Sequence, residues 1–233
     1  MKRQLPPTST DNSNLPAPTP DPGTDLNPLA LTNIYAVNGT SSPYRSPQTG
    51  LVTGTRHDHK IAFHSRLRDE CLELESRGFQ VAVAGDLNVA RGFLDGSPNL
   101  RTFPRQHFFN RADFNKKFFG EGDIERGKGG KEERSLDAVD VFRTVHGDKR
   151  KYTYYPRTKD WGSSCDRVDL VFVSKGLWEG GRVVATDTLD TILDRGPSDH
   201  VPVWVEVAVQ WVLLQTNRTL VVLDMILSHF SCG

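Results

Sequence analysis

Apolar and polar positions along the chain alternate between helix and strand periods. Phe63, Leu67, Cys71 and Leu74 recur at i, i+4, i+8 and i+11, one stripe of an amphipathic helix over Arg56–Ser76. Arg77-Gly78 follows, with glycine where a helix end favours it. Residues 81–84 are a β-capable run between Gly78 and Gly85 and read as a strand, so helix and strand form an α/β unit. Residues 33–39 read as another strand, and residues 170–173 as a buried one. Val201, Val203, Val205 and Val207 alternate with period two, the mark of a strand with one buried face. Asn110 is placed to cap a helix over residues 111–119, which has Phe114, Phe118 and Phe119 to bury. Leu136, Val139, Phe142 and Val145 suggest a short amphipathic helix, and the charged, glycine-rich residues 120–134 suggest a surface loop.

The ends differ from this middle. Residues 1–28 are rich in Pro, Ser and Thr and too poor in large apolar residues to offset ordering entropy, so they are expected to be a disordered leader. No apolar signal region follows Met1. Residues 210–233 are apolar but interrupted by Gln215, Asn217 and Arg218, too broken to span a bilayer. That tail could be an extra strand, an extra helix or sequence foreign to the domain, which is expected to occupy residues 29–209. The 29 basic and 29 acidic residues cancel, so no global field attracts nucleic acid. Clusters such as 149–151 and 101–105 read as solvated surface. An odd set of three cysteines offers no disulfide framework and points to a reduced, intracellular compartment.

The candidate chemistry sits at strand ends. Asp86 and Asn88, two residues apart, would point to one side of an extended backbone, with Leu87 turned to the core. A carboxylate and a carboxamide there suit a hard cation, a water or a phosphate, although an Asx turn closing the strand explains them equally well. Asp199 and His200 stand at the mouth of the Val201 strand, as turn residues or as a ligand beside an imidazole. Asp169 opens the buried strand and needs a partner; His200 would gain a fixed tautomer and a favoured charge from it, while an Arg167–Asp169 ion pair is the plainer reading. Tyr35 and Asn38 end the 33–39 strand. Tyr152, Tyr154, Tyr155 and Trp161 could stack on a base or pack as ordinary sandwich residues.

The ordered series Tyr35…Asn38, Gly85-Asp86-Leu87-Asn88, Arg167-Val168-Asp169 and Ser198-Asp199-His200 resembles the endonuclease/exonuclease/phosphatase superfamily. The Gly-Asp-Leu-Asn-Val-Ala string, with Lys151-Tyr152-Thr153-Tyr154, makes it most similar to the exonuclease III-like apurinic/apyrimidinic endonucleases. The resemblance implies an α/β fold, the four-layer DNase I-like sandwich, and a Mg2+-dependent (or Mn2+-dependent) phosphodiesterase. By it, Asp86 is the base for the attacking water, Asn88 orients water or phosphate, and His200 held by Asp169 binds the phosphoryl oxygen. Tyr35 and Asn38 contact the phosphate, and Asp199, with Asp86 and Asn88, serves the metal. The implied substrate is DNA, with an abasic site or a 3′ end, in base excision repair, and the implied location is the nucleus.

The resemblance also implies an earlier strand with a metal-associated Asn and a second ending in Gln-Glu, whose Glu is the principal metal ligand. Neither precedes Tyr35, so the domain is expected to be incomplete at its N-terminal side. Two further readings therefore stand beside the DNA enzyme: the same fold acting on a phosphoinositide or sphingolipid, and a catalytically impaired fragment.

Overall fold

A computed structural model describes residues 27–121, 134–212 and 218–227, with backbone only beyond residue 209. The expected leader, apart from residues 27 and 28, and most of the 120–134 loop lie outside the described residues. In chain order the elements are β1 (Leu29–Tyr35), β2 (Pro43–Arg45), β3 (Val52–Thr55), α1 (Arg56–Ser76), β4 (Gln80–Asp86) and β5 (Gly96–Ser97). Then come α2 (Gln106–Phe119), β6 (Val139–Asp140), α3 (Val141–His146), β7 (Cys165–Asp166), β8 (Asp169–Val173) and α4 (Lys175–Glu179). The last are β9 (Val183–Thr188), α5 (Ile192–Arg195), β10 (Val203–Val212) and β11 (Arg218–Leu227).

The first sheet has the order β1-β4-β8-β6 and the second β11-β10-β9. Strand β4 is parallel to β1 and antiparallel to β8. Its period-two faces divide the core. Val81 and Val83, with Leu170 and Phe172 of β8, meet Leu67 and Cys71 of α1 and Phe114 and Phe118 of α2. Ala82 and Ala84, with Val171 and Val173, meet Val203, Val205 and Val207 of β10. Helices, first sheet and second sheet are thus three successive layers of the expected α/β sandwich. Each large apolar side chain so buried contributes about 1.5–3 kcal/mol.

Helix α1 covers the expected span. Thr55 and Asp58 form a reciprocal capping box at its start, and Gly78 follows its end at φ +86°. Elsewhere the structure corrects the sequence. Helix α2 starts at Gln106, so Asn110 lies inside it and caps nothing; its buried amide donates to the Gly39 carbonyl and its oxygen meets His57 Nδ1. Of the proposed Leu136–Val145 stripe only residues 141–146 are helical: Val139 belongs to β6, and Leu136 packs from a loop into the helix-side core. Strand β10 continues past residue 209 and pairs with β11 in the tail.

Candidate active site

Strand register assembles the site. Tyr35 of β1 lies opposite Asp86 of β4, and Asp86 lies opposite Asp169 of β8. Three strands therefore deliver these residues in one row at one end of the first sheet. Gly85 permits this closeness: its φ is +130°, and a Cβ there would stand 2.1 Å from the Ile34 carbonyl oxygen.

Beyond Asp86 the chain leaves the extended conformation, which corrects the alternation argument for Asn88. Asn88 is left-handed at φ +52°, a region asparagine tolerates. The turn brings its backbone N–H to Asp86 Oδ1 at 2.8 Å and its amide to Oδ2 at 3.0 Å. The same Nδ2 donates to the Ala36 carbonyl at 2.8 Å. The Asx turn and the acid–amide pair are one structure. Leu87 is fully buried, as expected.

Asp169 Oδ2 lies 2.7 Å from His200 Nδ1, so the structure forms the carboxylate–imidazole pair. Arg167 does not pair with Asp169; its buried guanidinium binds Asp95 Oδ1 at 2.7 Å and Asp140 Oδ2 at 2.7 Å. Arg91 and Arg143 complete that network beneath the site. Buried Thr153 locks the dyad: its hydroxyl oxygen accepts from the N–H groups of Val168 and Asp169, and its carbonyl accepts from Val201 N–H. Tyr154 packs its ring 5.1 Å from that of His200.

Tyr35, Asn38, Asp86, Asn88, Asp199 and His200 line one cleft of about 230 Å³, with Asp169 behind His200. Arg101, His107, Arg111 and Tyr154 also line this cleft. Arg101 is tied to Asp166 at 3.0 Å, and Arg111 donates to the Ala90 and Arg101 carbonyls. Arg101 lies in a stretch that reads as solvated surface in the sequence and Arg111 in the expected 111–119 helix, whereas Tyr154 was already a candidate for stacking. Lys60 was also missed: its ammonium is buried against the carbonyls of Val37 and Leu87.

Burial and the neighbouring Asp169 push the Asp86 carboxyl up to about 6, against the pull of His200, Asn88 and Lys60. Burial works against a charged His200, but the hydrogen bond and charge of Asp169, with Asp86 and Asp199, outweigh it and raise the imidazole to about 9. Burial lowers Lys60 to about 7, with Asp86 opposing. Burial, then Asp166, push the Cys165 thiol up to about 11, so it stays protonated at neutral pH.

Oxygen donors of the kind a hard cation takes are present in Asp86, Asn88 and Asp199. Among the described residues, however, no three His, Cys, Asp or Glu side chains group as a metal site. The donor types fit Mg2+; their number fits an ion that takes its remaining ligands from water and substrate phosphate.

No family model matches the sequence, and no curated protein matches it significantly. The fold is similar to the catalytic domain of APE2 from Xenopus laevis, with a TM-score of 0.54 at 18% identity over 88% of this chain and 52% of that one. An AP endonuclease from Archaeoglobus fulgidus gives 0.49 at 22% identity over 75% of this chain and 60% of that one. The 3′-5′ exonuclease NExo from Neisseria meningitidis gives 0.49 at 20% identity over 76% and 60%. The chain spans between 52% and 60% of the length of these structures. The likeness to the APE2 catalytic domain shows the fold, the α/β sandwich that the ordered motifs imply.

Proposed function

We propose that the chain hydrolyses phosphodiesters in DNA, as an apurinic/apyrimidinic endonuclease or 3′-5′ exonuclease, by attack of an activated water on phosphorus. The observation that carries this reading is the Asp86–Asn88 pair and the His200–Asp169 pair opening into one cleft. A carboxylate titrating at about 6 is mostly ionised at neutral pH yet basic enough to take a proton from water. The water oxygen bonds to phosphorus as the bond to the leaving sugar oxygen breaks; Asp86 holds the water's proton, and solvent protonates the leaving oxygen. His200, held cationic by Asp169, binds a non-bridging oxygen as charge builds there. Asn88, Asn38 and Tyr35 position the phosphate. Asp86, Asn88 and Asp199 would hold Mg2+ or Mn2+, which supplies further neutralisation of the phosphate charge. Arg101 and Arg111 line the same cleft and supply cationic groups for a phosphate backbone. The DNA reading carries a nuclear location with it.

The test is incision of a labelled duplex with one abasic site, in Mg2+, beside a recessed 3′ end, a phosphoinositide and sphingomyelin. Asp86→Asn should lower the DNA rate about 10²–10⁴-fold, the usual worth of a general base, in a chain that still unfolds cooperatively. Turnover of the lipids alone, or a full rate in Asp86→Asn, would sink the proposal.

A further inference from the structure

Four consecutive carbonyls after β1 are each held by a side chain from elsewhere. Ala36 O accepts from Asn88 Nδ2 at 2.8 Å, Val37 O from Lys60 Nζ at 3.0 Å, Asn38 O from Arg56 Nε at 3.1 Å and Gly39 O from Asn110 Nδ2 at 3.1 Å. Lys60 goes further: the same ammonium donates to Leu87 O at 2.7 Å, between Asp86 and Asn88. Its stem runs past Gly39, where a Cβ would stand 2.6 Å from Lys60 Cδ and 2.3 Å from Asn110 Nδ2. The side chain is fully buried in the helix–sheet layer, where an ammonium is costly unless its donors are used. An apolar residue would pack that helix face at far less cost, so a lysine here calls for a role that its hydrogen bonds describe.

We propose that Lys60 is a positioning residue that fixes the Asn38 loop against the Asp86–Asn88 turn, so that the two phosphate-facing walls of the cleft keep one spacing. The inference rests on the phosphodiesterase reading for its catalytic consequence and on geometry alone for its structural one. Lys60 touches no substrate; it acts through the backbone of Val37 and Leu87. Without its ammonium both carbonyls lose a buried donor and the loops lose their shared anchor.

Lys60→Met, Lys60→Arg and the unaltered full chain are compared by backbone hydrogen exchange, urea unfolding and steady-state cleavage of the abasic-site duplex. In Lys60→Met, exchange should quicken at residues 36–40 and 86–90 while the rest of β4 and β8 keeps its protection. Turnover should fall about 10²-fold through kcat, as an ångström of misplacement commonly costs, with KM nearly unchanged. Lys60→Arg, which keeps N–H donors on a stem of similar length, should recover part of that loss. Unchanged exchange at both loops would overturn the inference, as would a loss of protection spread evenly over the sheet. If the unaltered chain cleaves no phosphodiester, the proposed function fails while the exchange comparison still decides the role of Lys60.

Discussion

The pair most open to measurement is His200–Asp169, because replacing one oxygen by nitrogen in Asp169→Asn changes a charge with little change in shape. The folded-state imidazole titrates at about 9 against an ordinary value of 6.5. At about 1.4 kcal/mol per pH unit, that interval is about 3 kcal/mol of stability. Because the folded value is raised, the stabilisation is complete below 6.5 and is lost as pH rises through 9. The hydrogen bond and charge of Asp169 are the largest raising influences; without them burial dominates and the contribution disappears. Asp169→Asn should therefore be less stable than the unaltered chain by about 3 kcal/mol more at pH 6.5 than at pH 9.5.

Comparing the two proteins removes groups that act in both. Lys60, lowered to about 7, contributes an opposite slope that rises with pH from 7 towards 10.5. Asp86 is itself raised by Asp169, but its titration at about 6 falls below the window chosen. Urea unfolding across pH 6.5–9.5 gives the free energies, and the His200 ring proton shift, assigned with His200→Gln, gives the titration directly. A stability gap constant with pH, or a wild-type imidazole titrating near 6.5, would refute the reasoning.

Two further outcomes follow from the same geometry. Arg167→Met should destabilise the fold by about 3–5 kcal/mol in urea, the usual cost of leaving a buried carboxylate without its partner, because it strips Asp95 and Asp140 of their shared cation; a loss below about 1 kcal/mol would mean that Arg91 and Arg143 suffice. Calorimetric titration of the substrate-free chain with Mg2+ should show weak uptake, strengthened by a non-hydrolysable DNA phosphodiester that supplies missing oxygen ligands. Tight one-to-one binding without DNA would contradict that donor count.

What the sequence made legible was local. The 3.6-residue stripe ending in glycine marked α1 because Phe63, Leu67 and Cys71 bury one face and Gly78 adopts a positive φ. Strand ends bearing Asp86 and Asp169 were legible, whereas the strand read over 33–39 runs Leu29–Tyr35 and leaves Asn38 beyond its end. The alignment of Tyr35, Asp86 and Asp169 in one row depends on β1, β4 and β8 register, which no single stretch encodes. Asn110 resembled a cap because its residue type favours that place; its amide is instead used by Gly39, seventy-one positions earlier. Lys60 left a signal: it stands one turn before Phe63 and His64 on the buried stripe, where a lysine requires an explanation. Arg167, beside Asp169 in sequence, was drawn to Asp95 and Asp140, which only the folded chain brings near.

The site's charges explain why these supports are needed. Register sets two carboxylates, Asp86 and Asp169, opposite each other on adjacent strands, and their repulsion helps to raise Asp86. The His200 proton offsets one charge, the Asn88 donors and the Lys60 ammonium partly offset the other, and Asp199 adds a third carboxylate to the cleft. Under the proposed function, an entering phosphodiester adds one more negative charge to this group. Arg101 and Arg111 add cationic groups to the same cleft, and His200 is the cation there whose proton the solvent can remove at mildly alkaline pH. Raising His200 to about 9 keeps that proton in place at neutral pH while leaving Asp86 largely ionised as a base. The same separation of titrations means that phosphate affinity should fall on the alkaline side through His200, and proton abstraction on the acid side through Asp86, so that the two limbs report two different residues.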